Sequence, residues 1–149
     1  MILRFIAFRL TKPEQYSHDD FDRFLRESMR QLNQLEPAAV ATLRAEFDLA
    51  MMAAGHIFGA HAFRKRDPRG STRKFPINKA LFEAVSVNLV ADSQRNDRLA
   101  KLGDQVAQAM VRLMADADFQ AAISQGTGDV AKVKRRFGII HELFEEVAA

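Results

Sequence analysis

The chain has no cysteine and no tryptophan, and only one tyrosine. Without cysteine there can be no disulfide, no thiolate metal centre and no cysteine nucleophile. The same absence suits a reducing compartment, and a cytoplasmic location is the expectation. The lack of tryptophan, with few aromatics near basic residues, leaves little for base stacking. Long apolar runs are missing as well. The opening MILRFIAFRLTKPEQ is broken by Arg4 and Arg9 and is too short and too charged for a signal peptide or a membrane span. No association with membrane is expected.

What is present is one domain's worth of sequence, 149 residues, enough to bury roughly 70% of the unfolded surface without staples. The formal charge of +3 is unevenly spread. Arg64, Lys65, Arg66, Arg69, Arg73 and Lys74 fall within eleven residues, and Asp67 is the only acid among them. That segment carries +5, so the remainder of the chain carries −2. The protein is a near-neutral body with one basic segment, and the location of that charge is more informative than its total.

The hydrophobic pattern is helical nearly throughout. Met1 to about Leu10 reads as a first helix. Phe21, Phe24, Leu25, Met29, Leu32 and Leu35 form a stripe behind Asp19 or Asp20, either of which suits an N-cap or first turn. Pro37 suits the first turn of a third helix, whose stripe runs from Val40 through Leu43, Phe47, Ala50, Met51 and Ala54 to Phe58. After the basic segment, Asn78 suits the cap of a helix bearing Leu81, Phe82, Val85 and Leu89. The polar stretch DSQRND reads as a break, followed by one face of Leu99, Leu102, Val106, Met110, Leu113 and Met114. A short helix near Asp116 or Asp118 carries Phe119 and Ile123. Thr127 or Asp129 suits the cap of a last helix with Val130, Val133, Phe137, Ile140, Phe144 and Val147 inward. The expectation is a single all-α domain, residues 1–149, forming a compact bundle of five to seven helices with a basic loop between the third and fourth.

No catalytic constellation stands out. His56 and His61 are five apart, the wrong spacing for two ligands on one helix face. HELFE at 141–145 places His141 and Glu145 at i, i+4, but zinc needs three or four ligands. No metal site and no cofactor are expected. Gly126-Thr127-Gly128 before a helix suits an anion at a helix N-terminus, yet it lacks a P-loop lysine and a preceding strand, so a plain connection is favoured. Glu142, Glu145 and Glu146 read as a solvent face. Lys132, Lys134, Arg135 and Arg136 form a lesser basic run, with Arg136 near the apolar stripe and therefore expected to be partly buried against a carboxylate. The concentrated signal is the basic segment. Its six cations suit DNA phosphates, acidic groups of a partner, or solvent alone, and Phe63 and Phe75 are placed to anchor its ends.

Several phrases, taken in order, carry a resemblance: ILRFIAF, Tyr16, FDRFLRESM, Phe47 with IFGAHAFRK, INKALFEA, then Phe119, Ile123, Thr127 and Arg136-Phe137. Their succession resembles the C-terminal helical half of the domain-of-unknown-function family 262, which includes the S-type half of GmrSD-like modification-dependent restriction systems. The resemblance covers nearly the whole chain. It implies an all-α accessory module in a phage-defence setting, the C-terminal half of a longer protein or of a two-part system. In that family a ParB-like domain with a DGQQR-type motif precedes these helices and is linked to nucleotide hydrolysis. That motif is absent here, so no enzymatic activity is expected of these residues. Implied partners are a ParB-like domain or partner subunit, and DNA. A pure protein-interaction or dimerisation domain is the alternative. A homodimer through the apolar first helix, with Ile2, Leu3, Phe5, Ile6 and Phe8, is a further expectation.

Overall fold

The computed structural model describes residues 1–149. The chain is all helical: α1 (Ile2–Leu10), α2 (Phe21–Asn33), α3 (Pro37–Phe58), α4 (Lys79–Val90), α5 (Ser93–Lys101), α6 (Gly103–Leu113), α7 (Ala117–Ser124) and α8 (Val130–Ala148). Short 3-10 turns occupy Pro13–Gln15 and Gly59–His61. The expected five to seven helices are thus corrected to eight. The difference lies between residues 92 and 113, where one expected helix is two.

Local chemistry sets most of the boundaries. The side chains of Asp20, Asn78, Asp92, Asp116 and Asp129 each accept the backbone N–H three residues on, at 2.7–3.0 Å. Each such cap is worth about 1 kcal/mol to its helix. Pro37 opens α3, where its missing N–H is no loss.

The polar stretch expected to break the chain instead begins α5, and the reason is tertiary. Arg95 and Asn96 are buried. The Arg95 guanidinium donates to the Asn88 carbonyl and to Glu145 Oε1, the latter at 2.6 Å. Asn96 Nδ2 donates to the Leu89 carbonyl at 2.6 Å. These are carbonyls of the last turn of α4, which have no partner within their own helix. Side chains of α5 therefore cap the C-terminus of α4. The break falls later, at Leu102, between α5 and α6.

At the centre is α4. Every residue from Ala80 to Val87 is buried, and Leu89 with them. It packs against α1, α3, α7 and α8, and a helix apolar on all sides must be enclosed in this way. Phe5 and Phe8 of α1, Phe24 of α2, Phe119 and Ile123 of α7, and Ile140 and Phe144 of α8 complete the core. Phe8 gathers Tyr16, Phe24 and Phe137 around it, with ring centroids 4.8–5.7 Å away. Most of the apolar surface of α1 is spent in this cluster: Phe5, Ala7 and Phe8 are buried, and Met1 and Ile2 are the large residues left exposed.

One buried side chain of α4 is charged. Glu83 is fully enclosed and is paired with the equally buried Arg136 of α8 on one oxygen and with Arg4 of α1, at 3.0 Å, on the other. Arg136 also donates to the carbonyls of Thr127, at 2.7 Å, and Ala122. Tyr16 Oη donates to the next carbonyl along, Gly128, at 2.7 Å. Gly128 itself lies so close to Phe21 that a Cβ would stand 2.7 Å from the Phe21 Cβ. A buried charge is tolerated only when paired and hydrogen-bonded, and here both charges are.

Arg136→Ala leaves Glu83 with the partly exposed Arg4 alone, and it is expected to lower stability by roughly 3–5 kcal/mol. Glu83→Met combined with Arg136→Met should recover most of that loss, because neither fully buried position then carries a charge and Arg4, released from Glu83, is partly exposed to water. Urea denaturation of the three proteins measures both effects. A double variant as unstable as Arg136→Ala would mean that lost packing, not the stranded charge, sets the cost.

Candidate nucleic-acid interface

The connection from α3 to α4 carries the basic segment on an ordered neck. Gly59 ends α3 at φ 53°, ψ −131°, a conformation open essentially to glycine. The Gly59–His61 turn follows. Phe63 then holds φ 59°, rare for a bulky side chain. Its ring packs edge-on against Phe82 at 4.9 Å, and its carbonyl accepts from Asn78 N at 2.9 Å. Arg64 and Ile77 form an antiparallel bridge beside it. Asn78 completes the neck: its Oδ1 caps α4, and its Nδ2 donates to the Ile123 carbonyl of α7 at 2.8 Å.

Beyond the neck the chain turns at Asp67–Gly70, with Gly70 N donating to the Asp67 carbonyl and Gly70 at φ 79°. Asp67 Oδ2 accepts from Ser71 Oγ at 2.5 Å, and Oδ1 accepts from Arg69 N and Nε at 2.9 and 3.3 Å. The Ser71 hydroxyl and the Arg69 amide hold its carboxyl down at about 2. The one acid of the segment is thereby ionised and committed to its own turn.

The six cations divide into two sets. Arg64 Nη1 donates to the Phe75 carbonyl at 2.5 Å, bracing the two sides of the loop. Lys65 Nζ donates to Gln120 Oε1 at 3.0 Å and Ser124 Oγ at 2.8 Å, tying the loop to α7. These two have structural work. Arg69 shares Asp67 but is 89% exposed. Arg73 lies over the Phe75 ring at 5.0 Å. Arg66 and Lys74 have no carboxylate within 4.0 Å. The four cations that brace no other part of the fold are thus Arg66, Arg69, Arg73 and Lys74.

His61 lies beneath them, half-buried, its Nδ1 without a partner. Burial, then the charges of Arg66, Lys74 and Arg64, depress its pKa below 6.5. The folded protein therefore binds fewer protons here than the unfolded chain, and stability from His61 is lost as pH falls below about 6.5. Its spacing from His56 carries no sign of this role. Arg112 of α6 is likewise unmarked by any sequence pattern. It shares a groove with Arg66, though the two lie on different elements, far apart along the chain.

The remaining candidates disperse. His56 is exposed on α3, and His141 on α8. Glu145 is bonded to Arg95. No three histidine, aspartate or glutamate side chains converge on one point. In the Gly126–Gly128 connection the carbonyls of Thr127 and Gly128 are taken by Arg136 and Tyr16. Of the lesser basic run, Lys132 donates to the Gln125 carbonyl, Arg135 pairs with Asp118 at 2.8 Å, and Arg136 is buried against Glu83, the carboxylate its position called for.

No protein-family model, curated protein or solved structure matches the chain.

Neutralising the cations beside His61 should release part of its depression. In Arg66→Gln and Lys74→Gln proteins the His61 ring protons are expected to titrate at higher pH than in the parent, followed by NMR. An unmoved titration would leave burial and the charge of Arg64 as the causes of the depression.

Proposed function

We propose that the chain is a non-enzymatic helical module of a DNA-acting, restriction-type defence protein, and that its 64–74 segment holds DNA by the phosphates. One observation carries this reading. The acid of the segment is locked into its own turn, while Arg69, Arg73 and Lys74 are exposed and the half-buried Arg66 lines an open groove, all on a loop pinned at its neck. Cations held in this way release counterions from a phosphate backbone and read no sequence. The resemblance to family 262 supports the setting, with a ParB-like domain or partner subunit as the protein partner and the cytoplasm as the location.

A second reading, a pure protein-interaction module, draws on a different surface. Leu49 and Met52, 39% and 64% exposed, line a groove of about 560 Å³ between α3 and α5. Exposed apolar side chains grouped in a concavity are a mark of partner surfaces. Under this reading the basic loop meets acidic protein or water, and DNA affinity is at background.

The deciding measurement is a gel-shift titration with a random-sequence duplex across a salt series. The variant is Arg66, Arg69, Arg73 and Lys74 all changed to Gln, with Arg64 and Lys65 retained because they brace the loop. The parent is expected to bind at low salt, and the variant to lose roughly 3 to 4 units of the log–log salt slope. Equal binding by the two proteins would sink the phosphate reading. A parent without duplex affinity that still forms a complex with a ParB-like half would establish the second.

A further inference from the structure

A groove of about 370 Å³ runs between the Gly70 turn and α6. Arg66, Gly70, Ala107, Gln108, Val111 and Arg112 line it. Its polar side chains are two guanidiniums and one carboxamide, and no carboxylate is among them. We infer that this groove is the seat of a single phosphate group, with Arg112 and Gln108 of α6 forming the wall opposite Arg66. The inference rests on the phosphate reading of the loop and extends the site onto a second element.

The charge balance is the main ground. Two guanidiniums brought to one groove repel each other, and neither has an acid within 4.0 Å. Asp67, the nearest acid in sequence to Arg66, is spent on Arg69 and Ser71. Glu142 and Glu146 share a neighbouring groove with Arg112, on the α8 side, without bonding to it. A concavity offering positive charge on both walls, with no counter-charge of its own, is complementary to an anion.

Donor geometry narrows the anion. Gln108 precedes Arg112 by four residues, so both project from one edge of α6. Two planar guanidinium forks and an amide N–H₂ supply many donors from opposite sides, which suits a group with several acceptor oxygens. A phosphate meets that description better than a planar carboxylate. Gly70, with nothing within 4 Å of where a Cβ would stand, keeps the rim free of side chain. A polynucleotide backbone passing the groove can therefore set one phosphate into it.

The test uses the full chain and three single variants: Arg66→Gln, Arg112→Gln, and Arg30→Gln as an exposed arginine elsewhere. Arg112 is exposed, so folding should survive, checked by circular dichroism. With the random duplex at low salt, Arg66→Gln and Arg112→Gln should each weaken binding roughly tenfold and lower the salt slope by about one unit, while Arg30→Gln matches the parent. Inorganic phosphate provides the second arm, followed through the backbone amides of residues 66–70 and 107–112. Shifts in the parent that vanish in Arg112→Gln would identify a free phosphate as sufficient, whereas shifts produced by duplex alone would identify the diester backbone. If Arg112→Gln behaves like Arg30→Gln while the fourfold loop variant loses binding, the groove falls and the loop reading stands. If the parent binds no duplex, both fall. Competition by poly-L-glutamate equal to that by DNA would overturn the preference for phosphate.

Discussion

The carboxylate of Glu83, enclosed between Arg136 and Arg4, governs more of this molecule than any apolar contact. It sits on the most buried helix, where an unpaired charge is not tolerated. Pairing it requires α8 to bring Arg136 and α1 to bring Arg4, so one group fixes three helices relative to one another. Arg136 passes the constraint on through the carbonyls of Ala122 and Thr127, which end α7 and begin the approach to α8. From α7, in turn, the Ile123 carbonyl holds Asn78, and Gln120 and Ser124 hold Lys65. The neck of the basic loop is therefore connected to the core ion cluster by hydrogen bonds, not by chain sequence alone. Such a cluster need not add net stability, since desolvation offsets much of its attraction. What it supplies is a single arrangement.

That arrangement decides which cations face outward. A count of charges gives six in the segment, but Arg64 and Lys65 are absorbed in holding the loop, and Arg69 is shared with Asp67. At physiological salt the screening length is about 8 Å, so the body's slight negative charge does little to a ligand resting on the loop. Local geometry, and not the pI, then sets what the surface attracts. His61, under three of these cations, senses the same field from below.

Much of the fold was legible because its signals are local. Asp20, Asn78, Asp116 and Asp129 cap helices from positions that the apolar stripes mark out, and Pro37 opens its helix for a reason contained in its own ring. The beginning of α5 was not legible. Serine, glutamine, arginine and asparagine in a row read as a break, yet Arg95 and Asn96 are buried because they donate to the Asn88 and Leu89 carbonyls at the end of α4. Arg136 lay near enough to its stripe to be expected inside, but nothing local indicated a partner 53 residues away. Arg112 had no signal at all, since its meaning comes from Arg66 across a groove that only the folded chain makes.

The first helix shows the same limit from the apolar side. Its run of Ile2, Leu3, Phe5, Ile6 and Phe8 exceeds what one face can carry, which is why it suggested a second copy as a cover. In the folded chain, α2, α3 and α4 take up much of that surface, leaving chiefly Met1 and Ile2. Other large apolar side chains left exposed are Val40, Leu49 and Met52 along α3, with Met29 on α2 and Ile77 just before α4. The α3–α5 groove that contains Leu49 and Met52 shares no residue with the Arg66–Arg112 groove. The two readings of the molecule thus call on separate surfaces, and a module of this form has room to hold a partner and a phosphate backbone at once.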